Sequence, residues 1–195
     1  MKNMFLLDQN VDVSQLAFEL HTHPELWNAD RERTSFSASP HRDCDDIWVR
    51  YNDKTPYVEK GDFSGFNDLH FPVWYPAYYQ LPSLNALIWM LMGAVRGEHL
   101  GGILISRVKP GQKIHPHIDR SWHVDFYDKF NVCVKGAPGS AFIWTDDRET
   151  MPGRTGDIYH FTNSTTHEVV NESDQDFILL AICIRTHQFK DRYKR

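Results

Sequence analysis

His115-Pro116-His117-Ile118-Asp119, with His167 standing 48 positions beyond Asp119, has the residue types and spacing of a two-histidine, one-carboxylate metal site. Three such ligands on one face of an ion suit iron(II), which accepts imidazole nitrogen together with carboxylate oxygen, and they leave positions open for dioxygen and an organic co-substrate. Residues 115, 117 and 119 share parity, so an extended chain turns all three toward one side of a sheet. His167 follows the polar turn Asn163-Ser164-Thr165-Thr166 and enters an apolar run, where it can present its ring at the mouth of a barrel. The plain alternative is an ordinary His117–Asp119 pair with His167 on the surface.

Short strands are what would position such ligands. After Gly101-Gly102 the chain breaks into strand-like runs at 103–108, 113–118, 130–135, 141–145, 157–162, 167–171 and 177–185, separated by turn chemistry such as Pro110-Gly111, Ala137-Pro138-Gly139 and Pro152-Gly153. That pattern predicts a mainly β fold, a double-stranded β-helix or jelly roll, with a few packing helices ahead of it. A helix is expected over 84–96, where Leu84, Leu87, Ile88, Leu91 and Val95 recur at the helical period and Gly97 supplies a stop. A second is expected over 13–22, with Leu16, Phe18 and Leu20 as its apolar surface and Asp12 or Ser14 as its cap. Residues 47–51 read as one further strand, and 59–80 as an irregular, aromatic-rich loop that could cover a barrel mouth. The whole, 1–195, reads as a single domain, helical and irregular over 1–100 and a jelly-roll core over 101–187.

Composition narrows the partners. Lys and Arg number 21 against 26 acidic residues and are scattered, so there is no nucleic-acid or anionic-membrane footprint. Three cysteines without C-x-x-C spacing argue against a disulfide framework or a thiolate zinc site, and a reducing cytoplasm is expected. The apolar stretch Met4-Phe5-Leu6-Leu7 is far shorter than a membrane span. Other histidines read more plainly: His160 as a packed strand residue, His21, His23 and His41 as solvent-exposed. Trp122, His123 and Tyr127 are equally suited to lining a substrate pocket and to loop packing.

The text Ser106-Arg107-Val108-Lys109-Pro110-Gly111, then His115 to Asp119, then Met151-Pro152-Gly153 leading to His160-Phe161, and His167-Glu168-Val169-Val170-Asn171-Glu172-Ser173-Asp174 resembles the aspartyl/asparaginyl β-hydroxylase branch of the 2-oxoglutarate and Fe(II)-dependent oxygenases. The resemblance implies iron ligation by His117, Asp119 and His167, 2-oxoglutarate and O2 as co-substrates, and hydroxylation of an aspartyl or asparaginyl side chain, a related amino acid, a peptide or a small molecule. It assigns the distal carboxylate of 2-oxoglutarate to Ser106 and its other end to positions 129 and 131, occupied here by Lys129 and Asn131. The family's arginine ten residues after the second histidine is replaced by Phe177. A dicarboxylate still requires a cation in a partly dry pocket. Lys129 is the first candidate and Arg185 the second, since a tight hairpin after His167 would leave Arg185 about six residues, roughly 20 Å, too far along its strand.

Two rival readings accompany this one. A cupin-like metalloenzyme would use His115 and His117 with His167 for Mn, Fe or Zn without 2-oxoglutarate, although Arg120-Ser121-Trp122 occupy the place of the usual cupin glutamate. A jelly-roll binding protein without chemistry is the other.

Overall fold

The computed structural model describes residues 3–68, 71–120, 122–146 and 148–186. Two antiparallel sheets face one another as a jelly roll. The larger carries β1 (Met4–Asp8), β2 (Asp45–Asn52), β3 (Pro72–Trp74), β4 (His99–Val108), β6 (Asp128–Lys135), β9 (Ile158–Phe161) and β11 (Phe177–Arg185), in the order β1-β9-β6-β11-β4-β2-β3. The smaller carries β5 (Lys113–His117), β7 (Ser140–Trp144), β8 (Glu149–Pro152) and β10 (His167–Asn171), in the order β5-β10-β7-β8.

Side-chain alternation explains the layers. On β7 and β10 every second residue is buried, so Phe142, Trp144, His167 and Val169 point between the sheets while their neighbours are partly exposed. β11 is apolar on both faces. Its odd residues Phe177 and Leu179 join Phe142, Trp144, Phe161 and Val169 between the sheets. Its even residues Leu180, Ile182 and Ile184 pack with Ile103, Ile105 and Phe130 against the helices α1 (Ser14–Thr22) and α4 (Ser83–Ala94). Leu84, Leu87, Ile88, Leu91 and Val95 are all buried there, as the helical period predicts. On α1, Leu16 and Leu20 are buried but Phe18 is 61% exposed, because it falls off the stripe that meets the sheet. The N-cap of α1 is Val13 and neither expected side chain caps it; Asp12 instead accepts from the amide and hydroxyl of Ser14.

Several expectations are corrected. The N-terminal part, expected to be helical and irregular with one strand, gives three strands, β1, β2 and β3, to the larger sheet; residue 187, the end of the expected core, lies outside the described residues. β1 and β8 were not expected: β1 is zipped onto β9, and β8 tolerates Pro152 because it is an edge strand with pairing on one side only. Residues 55–60 and 76–80 form short helices, α2 (Thr55–Lys60) and α3 (Pro76–Gln80), and 122–126 a third, α5 (Trp122–Phe126). β10 and β11 do not form a hairpin. β10 pairs with β5 and β7, β11 with β4 and β6, and the intervening turn crosses from one sheet to the other. No helix among the described residues is long and apolar enough to cross a membrane.

Candidate metal centre

β5 and β10 are hydrogen-bonded neighbours whose register sets His117 directly opposite His167, with ring centroids 4.4 Å apart. Asp119 lies just past the end of β5, held by its amide donating to the carbonyl of Asn163 (3.1 Å). One donor atom from each of His117, Asp119 and His167 falls within 4.8 Å of the others. Among the described residues this is the one group of three or more His, Cys, Asp or Glu so arranged.

The hydrogen bonds around the three fix their chemistry. Nδ1 of His117 lies 2.7 Å from the carbonyl of His115, and Nδ1 of His167 lies 2.9 Å from that of Thr165. A carbonyl only accepts, so each ring carries its proton on Nδ1 and turns the Nε2 lone pair inward. Burial drives the His167 pKa down to about 4, outweighing the attraction of Asp119, so this ring is neutral at ordinary pH. Burial alone would raise the Asp119 carboxyl, but Lys129 and His117 beside it hold it well below the usual carboxylate range. Its Oδ2 accepts from Lys129 Nζ (2.7 Å) and Asn163 Nδ2 (3.0 Å), while Oδ1 lies 3.5 Å from His117 Nε2. That Nε2 is buried and has no hydrogen-bond partner. An imidazole whose inward nitrogen has no hydrogen-bond partner, a second, neutral imidazole and an oriented carboxylate are the donor set that suits a divalent first-row metal.

His115 takes no part. Its Nε2 lies 2.5 Å from Asp43 Oδ2 and its Nδ1 2.9 Å from Arg42 Nη2, so the donor set of the cupin reading is not assembled. Ser106, Lys129 and Asn131 do line the cavity between the sheets beside His117 and His167. Arg185 does not. It stands opposite His99 at the far end of β11, donates to the carbonyl of Phe126 (3.1 Å) and lies over the Phe126 ring. Phe177 is fully buried at the closed end of the barrel, and a Cβ on Gly153 would come within 2.8 Å of its ring. Ring and glycine together fill the space that an arginine at this position would need.

The residues that sequence reading missed come from the segment before β2. Arg33 lines the same cavity, its Nη1 2.7 Å from Asp46 Oδ2 and its Nη2 2.7 Å from His41 Nε2. Asp46 is fully buried and also accepts from Ser106 Oγ (2.7 Å). His41 is not solvent-exposed as expected. Its ring centroid is 5.1 Å from that of His117, and burial together with Arg33 pushes its pKa well below the ordinary value. The only signal in the sequence was an arginine, a histidine and an aspartate ahead of a strand whose partner lies 60 residues away. His123 lines the space next to Asp119 and Lys129, Trp122 stacks on Phe126, and Tyr127 is buried. His160 is the packed residue expected, with Nε2 3.5 Å from Asp128 Oδ1.

A family model described as aspartyl/asparaginyl beta-hydroxylase matches residues 74–186. No curated protein matches the chain by sequence. Among solved structures, the chain is similar to a viral collagen prolyl hydroxylase from Paramecium bursaria Chlorella virus-1 in its 2OG complex (10% identity, TM-score 0.57, 95% of this chain and 97% of that one). It is also similar to a 2OG-Fe(II) oxygenase family oxidoreductase from Burkholderia pseudomallei (16% identity, TM-score 0.57, 95% and 85%). A Pseudomonas putida prolyl-4-hydroxylase gives 12% identity and a TM-score of 0.53 over 95% and 93%. At these identities the likeness is one of fold. Arg33, His41 and Asp46 all precede the residues that the family model matches.

Proposed function

The chain belongs to the aspartyl/asparaginyl β-hydroxylase family and is a non-heme Fe(II)- and 2-oxoglutarate-dependent dioxygenase; we propose that His117, Asp119 and His167 are its iron ligands and that it hydroxylates an aspartyl, asparaginyl or related residue. The observation that carries the ligand assignment is the buried Nε2 of His117, left without a partner opposite His167 and Asp119. When bound, iron, the 2-oxo acid and dioxygen supply the oxidising chemistry that converts a C–H bond to C–OH. The chain's own share is orientation and charge. His115 and Thr165 carbonyls fix the two imidazoles, and Lys129 and Asn163 hold the carboxylate so that one oxygen remains for the metal.

Charge balance supports a dicarboxylate co-substrate. Arg33 and Lys129 formally cancel Asp46 and Asp119 around the site, so a divalent ion leaves two uncompensated positive charges in a partly dry space, which a dianion neutralises. We assign the contacts of that dianion to Ser106, Asn131 and Lys129, with Arg33 taking the part of the absent family arginine. Arg33 is the guanidinium lining this cavity among the described residues, and Ser106 and Arg33 share Asp46 as a partner. We place the enzyme in a reducing cytoplasm, a reading supported by the buried thiols of Cys44 and Cys133.

The test is an anaerobic titration of metal-free protein with Fe(II) and then 2-oxoglutarate, following the visible charge-transfer band of a chelated 2-oxo acid. A band that needs both additions and is missing in Asp119→Ala is expected; iron binding without a band would overturn the co-substrate assignment.

A further inference from the structure

Beside the metal site, and sharing Arg33 and His41 with it as common walls, lies a second cavity of about 500 Å³. Its size is that of a ligand pocket, and its lining is aromatic: Phe36, Trp48, Tyr51, Phe63 and Phe66. The rings are organised, with Trp48 stacked on Phe66 (6.1 Å, 17°) and Tyr51 tilted against both. Phe36 and Phe63 keep 53% and 39% of their surface exposed, so apolar area is left uncovered at the rim.

Two polar atoms of this lining have no partner. The indole Nε1–H of Trp48, on a side chain only 1% exposed, donates to nothing, and Oε2 of Glu32 is buried and accepts nothing. Lys54 links the two, with Nζ 2.7 Å from Glu32 Oε1 and 5.9 Å from the centre of the Trp48 ring. A buried donor and a buried acceptor left open are each costly, and a ligand that satisfies both removes the cost. A peptide unit carries both complements, a carbonyl that can accept from the indole and an N–H that can donate to the carboxylate. Lys54 is already matched by Asp30 and Glu32, and Arg33 is assigned to the co-substrate on its other side, so an anionic ligand body finds no unmatched charge here.

Resting on the oxygenase reading, we infer that this cavity is the recognition site for the prime substrate, and that it seats an apolar, preferentially aromatic residue of a peptide, whose neighbouring chain is thereby led past His41 to the metal. A nucleobase would also stack, but the chain has no basic stripe to follow a phosphate backbone.

The test is calorimetry under anaerobic conditions on protein carrying Fe(II) and 2-oxoglutarate, with N-acetyl-phenylalanine amide, N-acetyl-asparagine amide and adenosine as probes. The visible band reports the iron and 2-oxoglutarate separately, so its failure would indict the oxygenase reading and not the cavity. With the band present, the phenylalanine amide is expected to bind at least about tenfold more tightly than the asparagine amide, on the scale of burying one aromatic side chain. Trp48→Phe, which keeps one aromatic ring but removes the indole N–H and the second fused ring, is expected to weaken it about fivefold. Phe36→Ala, at an exposed position that leaves folding untouched, is expected to weaken it about threefold. Both variants should form the band as the parent does. No binding of the phenylalanine amide, equal or tighter binding of either other probe, or parental affinity in both variants would overturn the proposal.

Discussion

Two buried histidine–carboxylate pairs in this protein have the same separation and opposite natures. His117 Nε2 and Asp119 Oδ1 are 3.5 Å apart, as are His160 Nε2 and Asp128 Oδ1. The second pair is saturated: Asp128 Oδ2 accepts from the amide (3.2 Å) and hydroxyl (2.7 Å) of Thr186, and the His160 ring lies near Phe130 and Phe5 on the helix-facing side of the larger sheet. The first pair faces the space between the sheets, has a second imidazole across from it, and leaves a nitrogen without a partner. A histidine beside a carboxylate is therefore no indicator of metal chemistry by itself. What distinguishes the two is which face of the sheet they occupy and whether any lone pair is left over.

The sharpest way to break that distinction is to exchange the consequences of mutation. Asp119→Ala and His117→Ala are expected to lower Fe(II) affinity by at least about a hundredfold, through loss of one of three ligands, in an anaerobic metal titration. Asp128→Asn is expected to leave Fe(II) binding stoichiometric while costing about 2 kcal/mol, or roughly 4–8 °C in melting temperature. Metal loss in Asp128→Asn would erase the contrast. Next in size, Arg33→Met should raise the dissociation constant of 2-oxoglutarate by about ten- to a hundredfold with iron affinity unchanged, because it removes one member of a buried charge pair at the co-substrate cavity. Unaltered 2-oxoglutarate binding would return the role to Lys129 alone.

His115→Ala should keep full metal occupancy, shifting affinity by less than about threefold, since its partners are Arg42 and Asp43 and not the metal site. Loss of metal there would revive the cupin donor set. The smallest effect is expected at Asp45. Burial raises its carboxyl, but Lys109, Arg107 and Asn28 more than offset this and hold it below the ordinary value. A folded value below the unfolded one gives stabilisation that is complete above about pH 4 and is lost as pH falls through the folded value. Asp45→Asn should thus cost about 1 kcal/mol at pH 7 and less as the pH falls below about 4, as read by urea melts across that range.

The candidate ligands and most strands were legible because their signals are local. Alternation on β7 and β10 and the two-faced apolar run of β11 declare themselves within a few residues, and His117 and Asp119 stand two residues apart at the end of one strand. β1 and β8 were not legible: a short apolar stretch and a proline-ended segment become strands only because β9 and β7 offer them an edge. Arg33, His41 and Asp46 were hidden for a related reason. Their approach to Ser106 and His117 depends on β2 pairing with β4, a contact between distant stretches of chain, and no local period records it. The hairpin expected between β10 and β11 failed for the same reason, since the turn crosses from sheet to sheet, although Arg185 does stand at the far end of β11.

The walls contributed by residues 32–51 and 63–67 are separate in the chain from the segments that bear His117, Asp119 and His167. Such an arrangement lets selectivity drift while reactivity stays fixed. Exchanging the loop residues that line the aromatic cavity, with β1 to β4 left in place, would redirect the enzyme to a different target.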